Sequence, residues 1–304
     1  MKKRILTVML ALLLALLGAA ALGEGLTKTG VYYASNAKTQ VCDIHVPEGE
    51  GPFPVIVLVH GGGFAFGDAG MPIIRPVIDA ALARGYAVVS ADYRKSSEAV
   101  FPAALADVKA AVRFVRRAAA RYGFDPERIA IWGESAGAYL ALMTALTPEV
   151  AALNGDVTVN AELPSSVRAL VSFYAPVEFL TLDADAAALG MGGTSFSGPD
   201  SFESRFLGAP LGEDAALTAT TCWETYTDAL PEGFALRAWI QAGDADAKVP
   251  YTQSVRFAER LSAVIGEENV RFALLSGADH EDAAFYTAEN LAAVLDFLDE
   301  TMAR

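Results

Sequence analysis

The sequence predicts an α/β domain: a mostly parallel, eight-stranded sheet with helices on both faces and one long insertion over its edge. Three observations predict it. Short, unbroken apolar runs rich in Val and Ile alternate with stretches of helical periodicity, the pattern of strands covered on both faces. Two of the runs end abruptly in glycine-rich turns. The 304 residues are 53% apolar and the pattern has no second copy, so one core is expected, in a single domain over residues 24–304.

Taken in order, the chain starts with the basic residues Met1-Lys2-Lys3-Arg4 and an almost unbroken apolar run from Ile5 to Leu22, closed by small residues and Gly23. That is the layout of a secretory signal peptide over residues 1–23, cut near Gly23, with secretion or a periplasmic location as its consequence. A retained anchor is the competing reading, because such a run is just long enough to span a bilayer. The small-residue end favours cleavage, so no stable membrane anchor is expected afterwards.

Residues 30–34 and 41–46 are rich in β-branched and aromatic side chains and flank a polar turn, which predicts a hairpin. Continuous apolar runs at 55–60, 86–91, 128–132, 167–174, 236–242 and 270–275 predict six further strands. Residues 102–121 place Ala104, Leu105, Val108, Val112 and Val115 on one helical face, with Lys109, Arg113, Arg116 and Arg117 mostly elsewhere. Helices are also expected at 136–146, 251–265 and 282–302. The stretch 176–232 breaks the alternation. It carries Phe196, Phe202, Phe206 and Trp223 within irregular sequence, which suggests a cap packed over a site.

The formal charge of −14 excludes phosphate-neutralising surfaces, so neither nucleic acid nor an anionic membrane is an expected partner. Cys42 and Cys222 are the chain's two cysteines. Export permits a disulfide between them, and two buried free thiols fit equally well. Neither lies in a metal-binding spacing, and no metal or cofactor is expected.

Gly133-Glu134-Ser135-Ala136-Gly137 matches G-x-S-x-G between the strand-like Ile129-Ala130-Ile131-Trp132 and a helix-like run. This spacing serves a strained strand-to-helix turn that lifts a serine hydroxyl from the sheet edge, with glycines where side chains would meet backbone. Ser135 is therefore the candidate nucleophile. His60-Gly61-Gly62-Gly63-Phe64 follows an earlier strand. Three glycines let backbone N–H groups approach a developing oxyanion, and no lysine follows to make a phosphate loop.

A serine nucleophile needs a base. Of three histidines, His45 falls in the opening hairpin and is expected to face outwards, and His60 is expected to brace the glycine loop. His280 alone follows the serine, past the last strand, and is the candidate base. Gly243-Asp244-Ala245-Asp246 follows the strand 236–242 and offers two candidates for the orienting acid. Position in the loop favours Asp246, leaving Asp244 as a turn residue.

His60–Phe64, Asp92-Tyr93-Arg94, the Ser135 motif, Gly243–Asp246 and the loop at 277–280 together resemble the hormone-sensitive-lipase-like esterases of the α/β-hydrolase superfamily. Phe202-Glu203-Ser204-Arg205-Phe206-Leu207-Gly208 and Val249-Pro250-Tyr251 resemble the bacterial feruloyl-esterase-like and acetylxylan-esterase-like branch. The resemblance implies an α/β-hydrolase fold and a carboxylic-ester hydrolase acting on short-chain or aromatic-acyl esters, carried by small molecules or plant polysaccharide. It also implies Gly62, Gly63 and Ala136 as oxyanion N–H donors and Asp246 as the acid. Glu281 stands where the family often has glycine after the base, which bears on substrate choice. An exopeptidase or amidase using the same residues is the alternative. A non-catalytic binding protein on this fold is a third.

Overall fold

The computed structural model describes residues 25–192 and 195–303; the signal peptide expected at 1–23 lies outside them. The strands are β1 (Leu26–Tyr32), β2 (Val41–Val46), β3 (Phe53–Val59), β4 (Ala87–Ala91), β5 (Phe124–Glu134), β6 (Ala169–Phe173), β7 (Arg237–Gly243) and β8 (Val270–Leu275). They form one sheet in the order β1-β2-β4-β3-β5-β6-β7-β8. β2 runs antiparallel to β1 and β4, and the strands from β3 to β8 are parallel.

The alternating side chains of β3 show how the two faces are covered. Val55, Val57 and Val59 enter one core with α2 (Ala103–Tyr122), α3 (Ala136–Leu146) and α8 (Thr252–Ile265). Ile56 and Leu58 enter the other, with α1 (Arg75–Ala83) and α9 (Ala288–Met302). A strand apolar on both faces is stable only between two such layers. Every residue of α3 is buried, which explains why that helix has no polar face.

Several elements depart from the expected ones. α1 was not foreseen; its apolar residues Val77, Ile78 and Ala81 make a short pattern preceded by prolines that fit a first helical turn. β1 starts at Leu26, before the apolar residues, because its polar residues pair with β2 at the sheet edge. His45 lies in the hairpin as expected but faces inward: it is 7% exposed and lies 3.2 Å from Thr27 Oγ1 on the paired strand. Lys109 and Arg113 of α2 are buried rather than solvated. The segment after α3 covers them, with Lys109 Nζ donating to Thr147 O and Arg113 to Leu163 O and Asn154 Oδ1. Cys42 and Cys222 are both free thiols. Among the described residues no helix is long and apolar enough to cross a membrane.

Among its described residues the stretch 176–232 contains four short α-helices: α4 (Leu182–Ala188), α5 (Phe202–Leu207), α6 (Ala215–Ala219) and α7 (Trp223–Thr227). Ser201 and Asp214 start α5 and α6 by accepting the N–H of Ser204 and Leu217. Helices this short are held by packing rather than by propensity. Phe206 stacks on Phe64 with ring centroids 4.0 Å apart, Phe179 lies 4.6 Å from Tyr139 of α3, and Trp223 meets Phe257 of α8 at 5.0 Å. Full burial of each such side chain contributes about 1.5–3 kcal/mol.

Candidate active site

The site is assembled at the carboxyl ends of the parallel strands. The apolar run of β5, paired between β3 and β6, delivers Ser135 into the turn that begins α3. Ser135 has φ 53° and ψ −124°, a region that costs a non-glycine residue about 1–3 kcal/mol. The surroundings hold it there: its N–H donates to Phe173 O at 2.9 Å, and its carbonyl accepts from Ala138 and Tyr139. Gly137 makes the turn possible. A Cβ there would lie 2.3 Å from the carbonyl oxygens of Val59 and His60, so only glycine lets α3 approach the end of β3.

That approach sets the glycine loop beside the serine. Gly62 has φ 114°, and a Cβ on it would lie 2.3 Å from Phe66 O, so the turn requires glycine. Its carbonyl is engaged by the N–H groups of Ala65 and Phe66. Among the described residues no acceptor meets the N–H of Gly62, Gly63 or Ala136. All three residues line the same cavity as Ser135.

Two loops bring the other candidates in. Ser135 Oγ lies 3.0 Å from His280 Nε2, and His280 Nδ1 lies 2.7 Å from Asp246 Oδ2. The second oxygen of Asp246 accepts the N–H of Lys248 and of Val249, each at 2.8 Å. Asp246 therefore needs the imidazole to satisfy its remaining oxygen, which sets Nδ1 as the protonated nitrogen and leaves Nε2 free to accept from the serine hydroxyl.

Asp244 does not reach the ring. It accepts Gly277 N–H and so ties the β7 loop to the β8 loop. Asp279, which sequence reasoning passed over, fastens the same two loops from the other side by accepting the N–H of Ala247 at 2.8 Å and of His280 at 2.6 Å. Those backbone bonds hold its carboxyl below the usual range. Glu281, the residue after His280, is paired: Lys248 Nζ donates to it at 3.0 Å.

A third layer lies behind the histidine. The Tyr174 ring packs on the imidazole with centroids 4.6 Å apart, and its hydroxyl bonds that of Tyr286. Glu134 is buried against both tyrosines. Burial pushes its carboxyl up to about 8, so it is a neutral acid at pH 7. Phe64, Ser135, Tyr174 and Glu281 are four of the five non-glycine residues with positive φ among the described residues. Three of them line the cavity and Tyr174 packs on His280, so backbone strain gathers at this site.

The cavity has a volume of about 390 Å³. Ser135, His280 and the glycine loop form its floor, and Phe66, Phe196, Phe202 and Glu203 line its walls. The last three come from the stretch 176–232. Among the described residues, no group of three His, Cys, Asp or Glu side chains is arranged to hold a metal ion.

Residues 42–261, most of the chain, match the BD-FAE family. The chain belongs to that family. The match takes in the glycine loop, Ser135 and Asp246 and stops short of His280. As a BD-FAE member it has the α/β-hydrolase fold, which a carbohydrate esterase from gut microbiota, solved in truncated form, shares at a TM-score of 0.79 and 24% identity over 93% of this chain and 98% of the other. A bifunctional GH43-CE protein of Bacteroides eggerthii superposes with a TM-score of 0.78 at 26% identity, covering 91% of this chain and 35% of its own. Esterase LipQ of Mycobacterium tuberculosis is 37% identical over 116 residues, 36% of this chain; the match spans only 27% of LipQ's own length.

Proposed function

We propose that this BD-FAE member is a serine carboxylic-ester hydrolase in which Ser135 is the nucleophile, His280 the general base and acid, and Asp246 the residue that orients the imidazole. The observation that carries the reading is the hydrogen-bonded line Ser135–His280–Asp246, at 3.0 and 2.7 Å, opening beside three N–H groups that meet no acceptor among the described residues. The esterase names of LipQ and of the structural relatives support the same reaction class.

Each step follows from a placed atom. Ser135 Oγ attacks the ester carbonyl carbon while its proton passes to His280 Nε2. The imidazolium is stabilised by the Asp246 carboxylate, whose other oxygen is held in place by two backbone N–H groups. The N–H groups of Gly62, Gly63 and Ala136 receive the oxyanion, each worth on the order of 10²–10³ in rate. Collapse breaks the bond to the alcohol, which leaves with the proton from Nε2. Water then attacks the acyl-enzyme by the same proton path in reverse, releasing the acid and restoring Ser135.

The cavity size suits a short acyl or aromatic-acyl group. The carbohydrate-esterase relatives favour an ester borne on a sugar or plant polysaccharide. The basic start and apolar run at 1–23 support export; N-terminal sequencing of protein recovered from the extracytoplasmic fraction should begin after Gly23, and an intact Met1 there would count against it.

Ser135→Ala should reduce hydrolysis of p-nitrophenyl acetate to background while the protein remains folded by circular dichroism. Retention of full activity would remove the reading.

A further inference from the structure

Lys95 is a buried cation that the reaction described above does not use. It follows β4 and is 8% exposed. Its ammonium group has three acceptors around it. Nζ donates to Asp92 Oδ1 and, at 2.8 Å, to Tyr93 O, and it lies 3.2 Å from His60 Nε2. Asp92 Oδ1 is 3.1 Å from that same ring nitrogen. Asp68 and Glu98 add negative charge near Lys95, and Glu98 is itself occupied by Thr39 and by the Lys95 N–H.

The protons around this nitrogen can be counted. The other ring nitrogen, Nδ1, lies 2.6 Å from Gly61 O. A carbonyl oxygen only accepts, so Nδ1 carries a proton. A second proton, on Nε2, would make a buried imidazolium and set its N–H against the Lys95 ammonium. Burial, with the charge of Lys95 adding to it and Asp92 opposing, holds the imidazole below its ordinary value. Nε2 is therefore a bare acceptor, and Lys95 donates both to it and to Asp92. Without that donor, two acceptors would face each other.

The consequence reaches the oxyanion loop. A peptide unit is planar and trans, so the Gly61 C=O and the Gly62 N–H point in opposite directions within one plane. Holding Gly61 O on His60 Nδ1 therefore aims the Gly62 N–H. At the far end of the glycine run, Ser96 N–H donates to Phe64 O at 2.9 Å. A ring protonated on Nε2 alone would turn a lone pair towards Gly61 O and push that peptide to rotate.

We propose that Lys95 is a positioning residue for the oxyanion loop: by donating to His60 Nε2 it fixes the imidazole in the Nδ1–H form that aims the Gly62 N–H at the reacting carbonyl oxygen. The inference rests on the esterase reading above and concerns the same site. It mirrors His280, where the acceptor Asp246 selects the same tautomer from the Nδ1 side.

Two measurements test it. Long-range proton–nitrogen NMR of the wild-type protein reads the tautomer, and the chain has only three histidines to assign. His60 should carry its proton on Nδ1 alone from about pH 5 to 8. An Nε2–H form or an imidazolium at neutral pH would overturn the proposal. Lys95→Met removes the donor, and Asp92 then calls for a proton on Nε2. At high pH the ring can meet that call only by giving up Nδ1–H; at low pH the imidazolium serves both Asp92 and Gly61 O. On p-nitrophenyl acetate the variant should lose about 10²-fold in kcat at pH 8, with KM within about threefold. The deficit against wild-type protein should shrink to about tenfold or less near pH 5.5. His280 titrates in both proteins and cancels in the ratio. Lys95→Arg, which keeps a donor, should recover part of the loss. A deficit constant with pH, a deficit in KM alone, or an unchanged kcat would overturn the proposal. The wild-type spectrum decides it should the methionine variant not fold. If wild-type protein does not hydrolyse the ester, the esterase reading fails and the positioning role with it, whatever the tautomer.

Discussion

His60 and His280 both sit against an aspartate at the carboxyl edge of the sheet, yet they are built for different purposes. His60 is fully buried. Its Nδ1 donates to Gly61 O at 2.6 Å, and its Nε2 lies 3.2 Å from Lys95 Nζ and 3.1 Å from Asp92 Oδ1. Tyr93 stacks on its ring at 4.5 Å and donates to its carbonyl oxygen at 3.0 Å. Burial holds the imidazole below its ordinary value, against the pull of Asp92. With both nitrogens engaged and no opening to solvent, His60 can only fix the loop that carries Gly62 and Gly63. His280 has one nitrogen on Asp246 and the other on a serine that faces a cavity. An Asp–His pair is thus common architecture; chemistry requires the second nitrogen to face a reactive group in reach of substrate.

The comparison can be broken at either histidine. His280→Ala should lower kcat on an ester by about 10⁴–10⁶ with little change in stability. His60→Ala should do the reverse in emphasis, costing about 1–3 kcal/mol of stability by removing the ring's bond to the Gly61 carbonyl and its contacts with Asp92 and Lys95, read by denaturant melts. Asp246→Asn should cost about 10⁴ in kcat, and Asp244→Asn less than tenfold, because Asp244 only ties two loops. Equal losses at Asp244 and Asp246 would dissolve the distinction drawn between them.

Burial neutralises acids as it does imidazoles, and Glu134 offers a smaller test behind His280. Its carboxyl is raised from 4.5 to about 8 in the folded chain, so the folded state binds the extra proton between those values. The cost of burying this group is absent below about pH 4.5, grows with pH, and is complete above about 8. Glu134→Gln, a neutral isostere, should therefore gain stability relative to the wild-type protein as pH rises from 5 to 8, measured as the difference in Tm. A constant difference across that range would place the ionised carboxylate in the folded protein.

Much of this was legible in the sequence because the signals were local. Unbroken apolar runs such as Val55-Ile56-Val57-Leu58-Val59 betray strands covered on both faces, and the glycines around Ser135 betray a turn without room for side chains. What was hidden depends on partners far along the chain. The inward turn of His45 follows from its pairing with β1, and the burial of Lys109 and Arg113 from the segment after α3. α1 is short and starts beside Pro72 and Pro76, so its periodicity did not stand out. Tyr174 carries no motif of its own, and nothing local marks Asp279 within the loop at 277–280; each acquires its place only when loops from different strands converge. Asp244 and Asp246 illustrate the boundary: two residues apart in one loop, they are separated by which of them the β8 loop meets with a backbone N–H and which with an imidazole.

The central claim is that Ser135 is the nucleophile that His280 activates. A fluorophosphonate probe tests it most directly, with the adduct located by peptide mass spectrometry in the wild-type protein and in His280→Ala. One adduct on Ser135, formed readily by the wild-type protein and orders of magnitude more slowly by the variant, is the predicted result. No adduct, an adduct on another residue, or equal labelling in the two proteins would contradict it.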